Sequence, residues 1–98
     1  MITSNGFNKI ANLIKETISH GTYQLNGSTK TTQIYKTSVE ANVLKIYLYF
    51  DDVESGSFSK FQLVDTDGNV FAEKPDNISK PNTKGLLVLF KFTITEVR

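Results

Sequence analysis

The stretch 58–74, FSKFQLVDTDGNVFAEK, constrains this chain more than any other. Two short apolar runs flank the polar segment Asp65-Thr66-Asp67-Gly68-Asn69. An Asp-Gly pair between alternating apolar segments is a strong local hairpin signal. A type I′ turn needs φ > 0 at both central positions, and Asp and Gly tolerate it. The spacing predicts arms at about 58–65 and 69–74. Phe61 and Leu63 are expected on one face and Phe58, Gln62 and Val64 on the other. The turn would then set Phe61 and Leu63 against Val70 and Ala72. A hairpin this apolar needs a larger sheet around it, so other segments must supply strands.

The clearest of these is 42–50. Leu44, Ile46, Leu48 and Phe50 alternate with Val43, Lys45, Tyr47 and Tyr49, which predicts one core face and one amphipathic face. Residues 86–97 predict a long terminal strand, with Leu86, Val88, Phe90, Phe92 and Ile94 on one face. Its other face begins apolar at Leu87 and Leu89 and turns polar at Lys91, Thr93 and Thr95. Such a strand suits the middle of a sheet or a pairing with another chain. Short strands are expected at about 22–25 and 31–37, the latter rich in Thr, with Ile34 and Tyr35. The segment 74–84, KPDNISKPNTK, carries both prolines and reads as a loop, since Pro cannot donate to a ladder. Ahead of the strands, Phe7, Ile10, Ala11, Ile14 and Ile18 fall at helical spacing and predict a helix over about 4–20. Thr3, Ser4 or Asn5 can cap its start, and His20-Gly21 reads as its stop.

One helix followed by a run of strands predicts a single α+β domain over 1–98. The helix packs on an antiparallel β-sheet or small β-sandwich of about five or six strands.

Composition then removes function classes. The chain has no cysteine, which excludes disulfides and thiolate zinc sites, and its one histidine, His20, excludes a His-rich metal site. A net charge of +1 argues against a phosphate-binding surface, and hence against nucleic acid, and leaves little repulsion to oppose self-association. No apolar run is long enough to span a membrane, and the N-terminus lacks the pattern of a signal peptide. Synthesis in the cytoplasm is expected, and the two Asn-x-Ser matches at Asn26 and Asn77 read as chance.

The oxygen-rich segment 65–69 departs from a calcium loop. Counted from Asp65, the sixth position is Val70 and the twelfth Asp76, where Gly and Glu are required. Asp51, Asp52 and Glu54 read as a solvated acidic loop, and His20 as a helix-terminal cation rather than a general base. No nucleophile–base pair stands at readable spacing, so the chain reads as no enzyme, with no cofactor and no metal. What remains is a surface. Tyr47, Tyr49 and Lys45 share one strand face, and with Leu87 and Leu89 they form the candidate interface.

The order of features resembles small structural proteins of bacteriophage tails, in the tail-fibre, baseplate and collar modules. The opening Ile2-Thr3-Ser4-Asn5-Gly6-Phe7-Asn8-Lys9-Ile10 leads into a helix, and Gly21 to Gly27 matches a glycine-containing strand pair. A strand like 42–50 follows, then Gly56, Phe61, Leu63, Asp65, Asp67-Gly68 and Val70-Phe71. Phe71-Ala72, Ile78-Ser79-Lys80 and a final strand from Leu86 to Ile94 complete the pattern. The chain departs in its compressed region between Gly27 and Thr37, which bears against a direct receptor-binding role. The resemblance implies a virion component that assembles with copies of itself and with other virion proteins. The alternative from the residues is a β-sandwich that binds carbohydrate through Tyr35, Tyr47 or Tyr49, where aromatic faces stack on sugars.

Overall fold

The computed structural model describes residues 1–97. A helix, α1 (Ser4–Thr17), precedes seven strands: β1 (Ile18–Leu25), β2 (Ser28–Thr32), β3 (Lys36–Glu40), β4 (Val43–Phe50), β5 (Gly56–Asp65), β6 (Val70–Lys80) and β7 (Leu86–Thr93). They form two antiparallel sheets. Sheet 1 runs β2-β1-β5-β6 and sheet 2 runs β3-β4-β7. The α+β class holds, and the sheet-or-sandwich alternative resolves to two sheets with seven strands rather than five or six.

The core lies between the sheets. Sheet 2 contributes Leu44, Ile46, Leu48 and Phe50 from β4 and Val88 and Phe90 from β7, and sheet 1 contributes Tyr23, Phe58, Phe61 and Leu63. The alternation in 42–50 therefore points as its sequence implies. Aromatic rings dominate one end: Phe58 stacks on Tyr23 at 5.5 Å between centroids, and Phe50 meets Phe58 at 5.1 Å and Phe61 at 5.9 Å. The helix packs against β3 and β1, so it leans on both sheets. Its stripe sets Ala11 into the core and Ile14 against it, and Ile18, the last residue of the expected stripe, packs there from the start of β1. Thr3 caps it, the hydroxyl accepting from the Gly6 amide at 3.1 Å.

Several boundaries differ from the sequence expectation, each for a local reason. The helix ends at Thr17, not at His20-Gly21. Thr66 N donates to Thr17 O at 2.9 Å, which ties the last turn to the β5–β6 hairpin, and the chain turns extended at Ile18. Strand β1 thus spans 18–25 rather than 22–25, and His20 lies within it. The Thr-rich region makes two strands, 28–32 and 36–40, in place of one at 31–37. Strand β6 runs on through Pro75 to Lys80, where a loop was expected. Two features allow this: β6 is an edge strand, and its register with β5 shifts between Ser59/Phe61, opposite the proline. The terminal strand stops at Thr93 and lies at a sheet edge, not in the middle.

The hairpin of 58–74 exists, with a different turn. Gly68 N donates to Asp65 O at 3.0 Å and Asp65 N to Asn69 O at 2.9 Å, and within the turn 66–69 positive φ falls on Gly68 alone, at +84°. This is a three-residue loop with a glycine bulge, not a type I′ turn. Asp65 Oδ1 also accepts the amides of Asp67 and Asn69 at 3.0 and 2.9 Å. The register pairs Leu63 with Ala72 and Phe61 with Lys74. A type I′ pattern belongs instead to Asn26-Gly27 between β1 and β2, where φ is 51° and 87°. Phe58 also differs from its expected face, lying in the core with Phe61 and Leu63. Lys60 has φ of +50° at a bulge in β5, so Phe58 and Phe61, three apart, both point inward.

Ala41 opens the β3–β4 turn with φ of +53°, which strains a residue carrying a Cβ. Ala41→Gly is expected to raise stability by about 0.5–1 kcal/mol, since relief of strain exceeds the added chain entropy. An upward shift of the urea midpoint at unchanged slope would show it.

Candidate interaction surface

The five residues Tyr47, Tyr49, Lys45, Leu87 and Leu89 come together on the outer face of sheet 2. Antiparallel register sets Tyr47 beside Leu89, Tyr49 beside Leu87 and Lys45 beside Lys91. Strand β3 adds Lys36 next to Tyr47, its ammonium 5.1 Å from the ring centroid, a cation–π contact. Tyr35 stands just before β3, donates its amide to Tyr47 O at 2.8 Å, and sets its ring 5.1 Å from that of Tyr49. Tyr49 is 42% exposed, Leu87 53% and Tyr35 58%. Large apolar side chains grouped this way on one face are unusual on a free surface. Gly85 seats the Tyr49 ring: a Cβ there would lie 2.6 Å from the Tyr49 hydroxyl. Lys36, Lys45 and Lys91 give the face a positive cast, with Glu40 as the acid on the same side of β3. Lys36 escaped the sequence reading because the stretch around it lacks clear alternation.

The other candidates are not assembled into a site. Asp51 and Asp52 are exposed, and Asp51 Oδ1 accepts the Val53 amide at 3.0 Å. Glu54 turns away from them to Tyr23, whose hydroxyl donates to its two oxygens at 3.1 and 3.3 Å. His20 does not cap a helix; its Nδ1 lies 3.0 Å from Ser19 Oγ in β1. Among the described residues no group of three or more His, Cys, Asp or Glu is placed to hold a metal ion. Among them too, no helix is long and apolar enough to cross a membrane.

A polar latch was invisible in sequence. Lys80, 4% exposed, donates through Nζ to the carbonyl oxygens of Glu54 and Pro81 and lies 5.9 Å from the Phe58 ring centroid. It fixes the loop after β4 to the end of β6, and Glu54 of that loop holds Tyr23. Nothing in KPNTK distinguishes this lysine from a solvated one.

Burial and the Glu54 carboxylate both disfavour the Tyr23 phenolate and push its pKa from 10.0 up to about 12. The folded state thus keeps a proton that the unfolded chain releases first. Stability from this group is intact below pH 10 and falls as pH rises from 10 to about 12, by roughly 2–3 kcal/mol. The phenolate absorbance band should show one tyrosine titrating near pH 12, and Glu54→Gln should move it back toward 10.

Comparison with models of known protein families, with curated proteins and with solved structures gives no match, so the reading of this face rests on its residues and geometry.

Proposed function

We propose that this chain is a non-enzymatic structural protein of a bacteriophage virion. It assembles through the outer face of sheet 2 with copies of itself or with neighbouring virion proteins in the tail, baseplate, collar or neck. The observation that carries the reading is the clustering of Tyr35, Tyr47, Tyr49, Leu87 and Leu89 on that face. Aromatic and aliphatic side chains rimmed by lysines are what an interface core and its polar margin require. The residue-order resemblance to tail modules supports a virion as the setting.

Sedimentation of the full chain, alone and with virion proteins, tests the assembly. Tyr47→Glu with Tyr49→Glu should weaken association at least about tenfold, because two carboxylates would have to be buried. Gln62→Glu, on the outer face of sheet 1, should leave it unchanged. Association unaffected by the tyrosine pair, or a strict monomer with no affinity for virion proteins, would count against the proposal.

A carbohydrate reading draws on one observation, the exposed Tyr35–Tyr49 ring pair, which offers a sugar two tilted faces 5.1 Å apart. Titration with host cell-wall polysaccharide decides it: binding lost in Tyr35→Ala with Tyr49→Ala would favour a glycan over a protein neighbour.

A further inference from the structure

We infer that the free edge of β7 takes up the β7 strand of a second copy of this chain, with Lys74 as the side chain that covers this edge in the single chain. The inference rests on the assembly reading and adds a partner and a geometry to it. Strand β7 is the outer strand of sheet 2. Its phase is set by Ile94, whose amide donates to Asn42 O at 2.8 Å and so faces β4. Peptide groups alternate along a strand, so those of Leu87, Leu89 and Lys91 face away from β4, where sheet 2 offers no neighbour. The Leu89 carbonyl confirms the phase: it accepts from Lys74 Nζ at 2.8 Å, where a neighbouring strand's amide would otherwise sit.

The other edges are guarded by their own sequence, whereas this one is covered at a single carbonyl, that of Leu89, by Lys74. Strand β6 carries Pro75 and shifts its register, β2 is the polar run STKTT, and β3 has five residues with a charge at each end. Strand β7 is LLVLFKFT and pairs with β4 over eight residues without a shift. A regular apolar edge of this length is a template for another strand. Beside it lies a groove of about 350 Å³ between β6 and β7, lined by Ala72, Lys74, Leu89, Phe90 and Phe92 among others.

A second copy suits this edge because it brings the same outward-facing peptide groups in the same phase. Laid antiparallel about Phe90, the two strands oppose Leu89 to Lys91, Leu87 to Thr93 and Val88 to Phe92, so like charges are not set directly opposite. The pairing closes under a two-fold axis and leaves no free β7 edge. It would make one six-stranded sheet, β3-β4-β7-β7-β4-β3, and would join the two tyrosine–leucine faces into one surface.

Sedimentation of the full chain over a wide concentration range tests this. Lys91→Pro deletes an amide that faces away from β4, so the internal ladder is kept while the partner loses a donor. The wild type should dimerise reversibly, Lys91→Ala should dimerise at least as tightly, and Lys91→Pro should dimerise at least about tenfold more weakly. Lys74→Ala, which uncovers the edge, should dimerise about tenfold more tightly. Amide exchange on the wild type reads the same edge without a variant: Leu87, Leu89 and Lys91 should gain protection with concentration. Wild type and Lys74→Ala both monomeric at millimolar concentration would overturn the inference, as would exchange at those amides that ignores concentration. A dimer that survives Lys91→Pro but is lost in Tyr47→Glu with Tyr49→Glu would overturn edge pairing and leave the face reading standing. Loss with Lys91→Pro alone would support the edge and remove the tyrosine face from the dimer.

Discussion

Phe58→Ala is expected to lower the melting temperature by roughly 20 °C, the cost of a buried aromatic truncated to a methyl being about 3–5 kcal/mol. The side chain is fully buried, stacks on Tyr23 with planes 8° apart and touches Phe50. It also carries the Lys80 ammonium over its ring, so its loss loosens the latch that holds the loop after β4. The site cannot collapse cheaply, because Phe50, Phe61 and Tyr23 belong to two different sheets. A chain of 98 residues has about 5–15 kcal/mol of stability in total, so the loss is a large share of it. Phe71→Ala makes the contrast: Phe71 is 40% exposed on an edge strand and should cost below about 1 kcal/mol. Thermal denaturation of the two variants side by side measures the difference.

Gly21→Val should destabilise by about 3 kcal/mol through overpacking. Gly21 sits on the inner face of β1 opposite β4. A Cβ there would stand 2.8 and 2.9 Å from the two methyl carbons of Leu48 and 3.2 Å from Thr32 Cγ2. Leu48 is fully buried in a close-packed core, so its methyl groups have little room to retreat. The sheets would have to part at this point. Leu48→Ala in the same chain makes room for the new side chain. Gly21→Val with Leu48→Ala should therefore be more stable than the sum of the two single losses, by about 1–2 kcal/mol in a denaturant double-mutant cycle. Additive losses would show that Gly21 is not packed against Leu48.

These two residues also mark the limits of the sequence. The strand at 42–50 was legible because period-two alternation and burial coincide: Leu44, Ile46, Leu48 and Phe50 are all in the core. The candidate face followed from the same alternation, and the register of β4 with β7 places Leu87 and Leu89 beside the tyrosines. His20-Gly21 carries the local signature of a helix stop, whereas the small size of Gly21 serves close sheet packing. Ile18 fits the helical stripe and also begins a strand, so periodicity could not separate the two, and the contact from Thr66 to Thr17 that ends the helix is 49 residues distant in sequence. Period-two alternation puts Phe58 opposite Phe61, and it fails there because a left-handed Lys60 is a tertiary choice with no local signal. Pro75 in β6 misled for a similar reason, since only the sheet order reveals that β6 is an edge. Lys80 carries no local pattern and Glu54 reads only as part of a solvated acidic loop, their roles arising from chain segments 26 residues apart.

Backbone amide shifts of the wild-type chain, followed by NMR from dilute to concentrated solution, report which surface meets another chain. If sheet 2 is the assembly surface, shifts should change at Tyr35, Tyr47 and Tyr49 and along Leu87 to Lys91, while Thr22, Gln62 and Glu73 on the outer face of sheet 1 stay fixed. Changes confined to sheet 1, or none at any concentration with or without virion proteins, would contradict an assembly role for the tyrosine face.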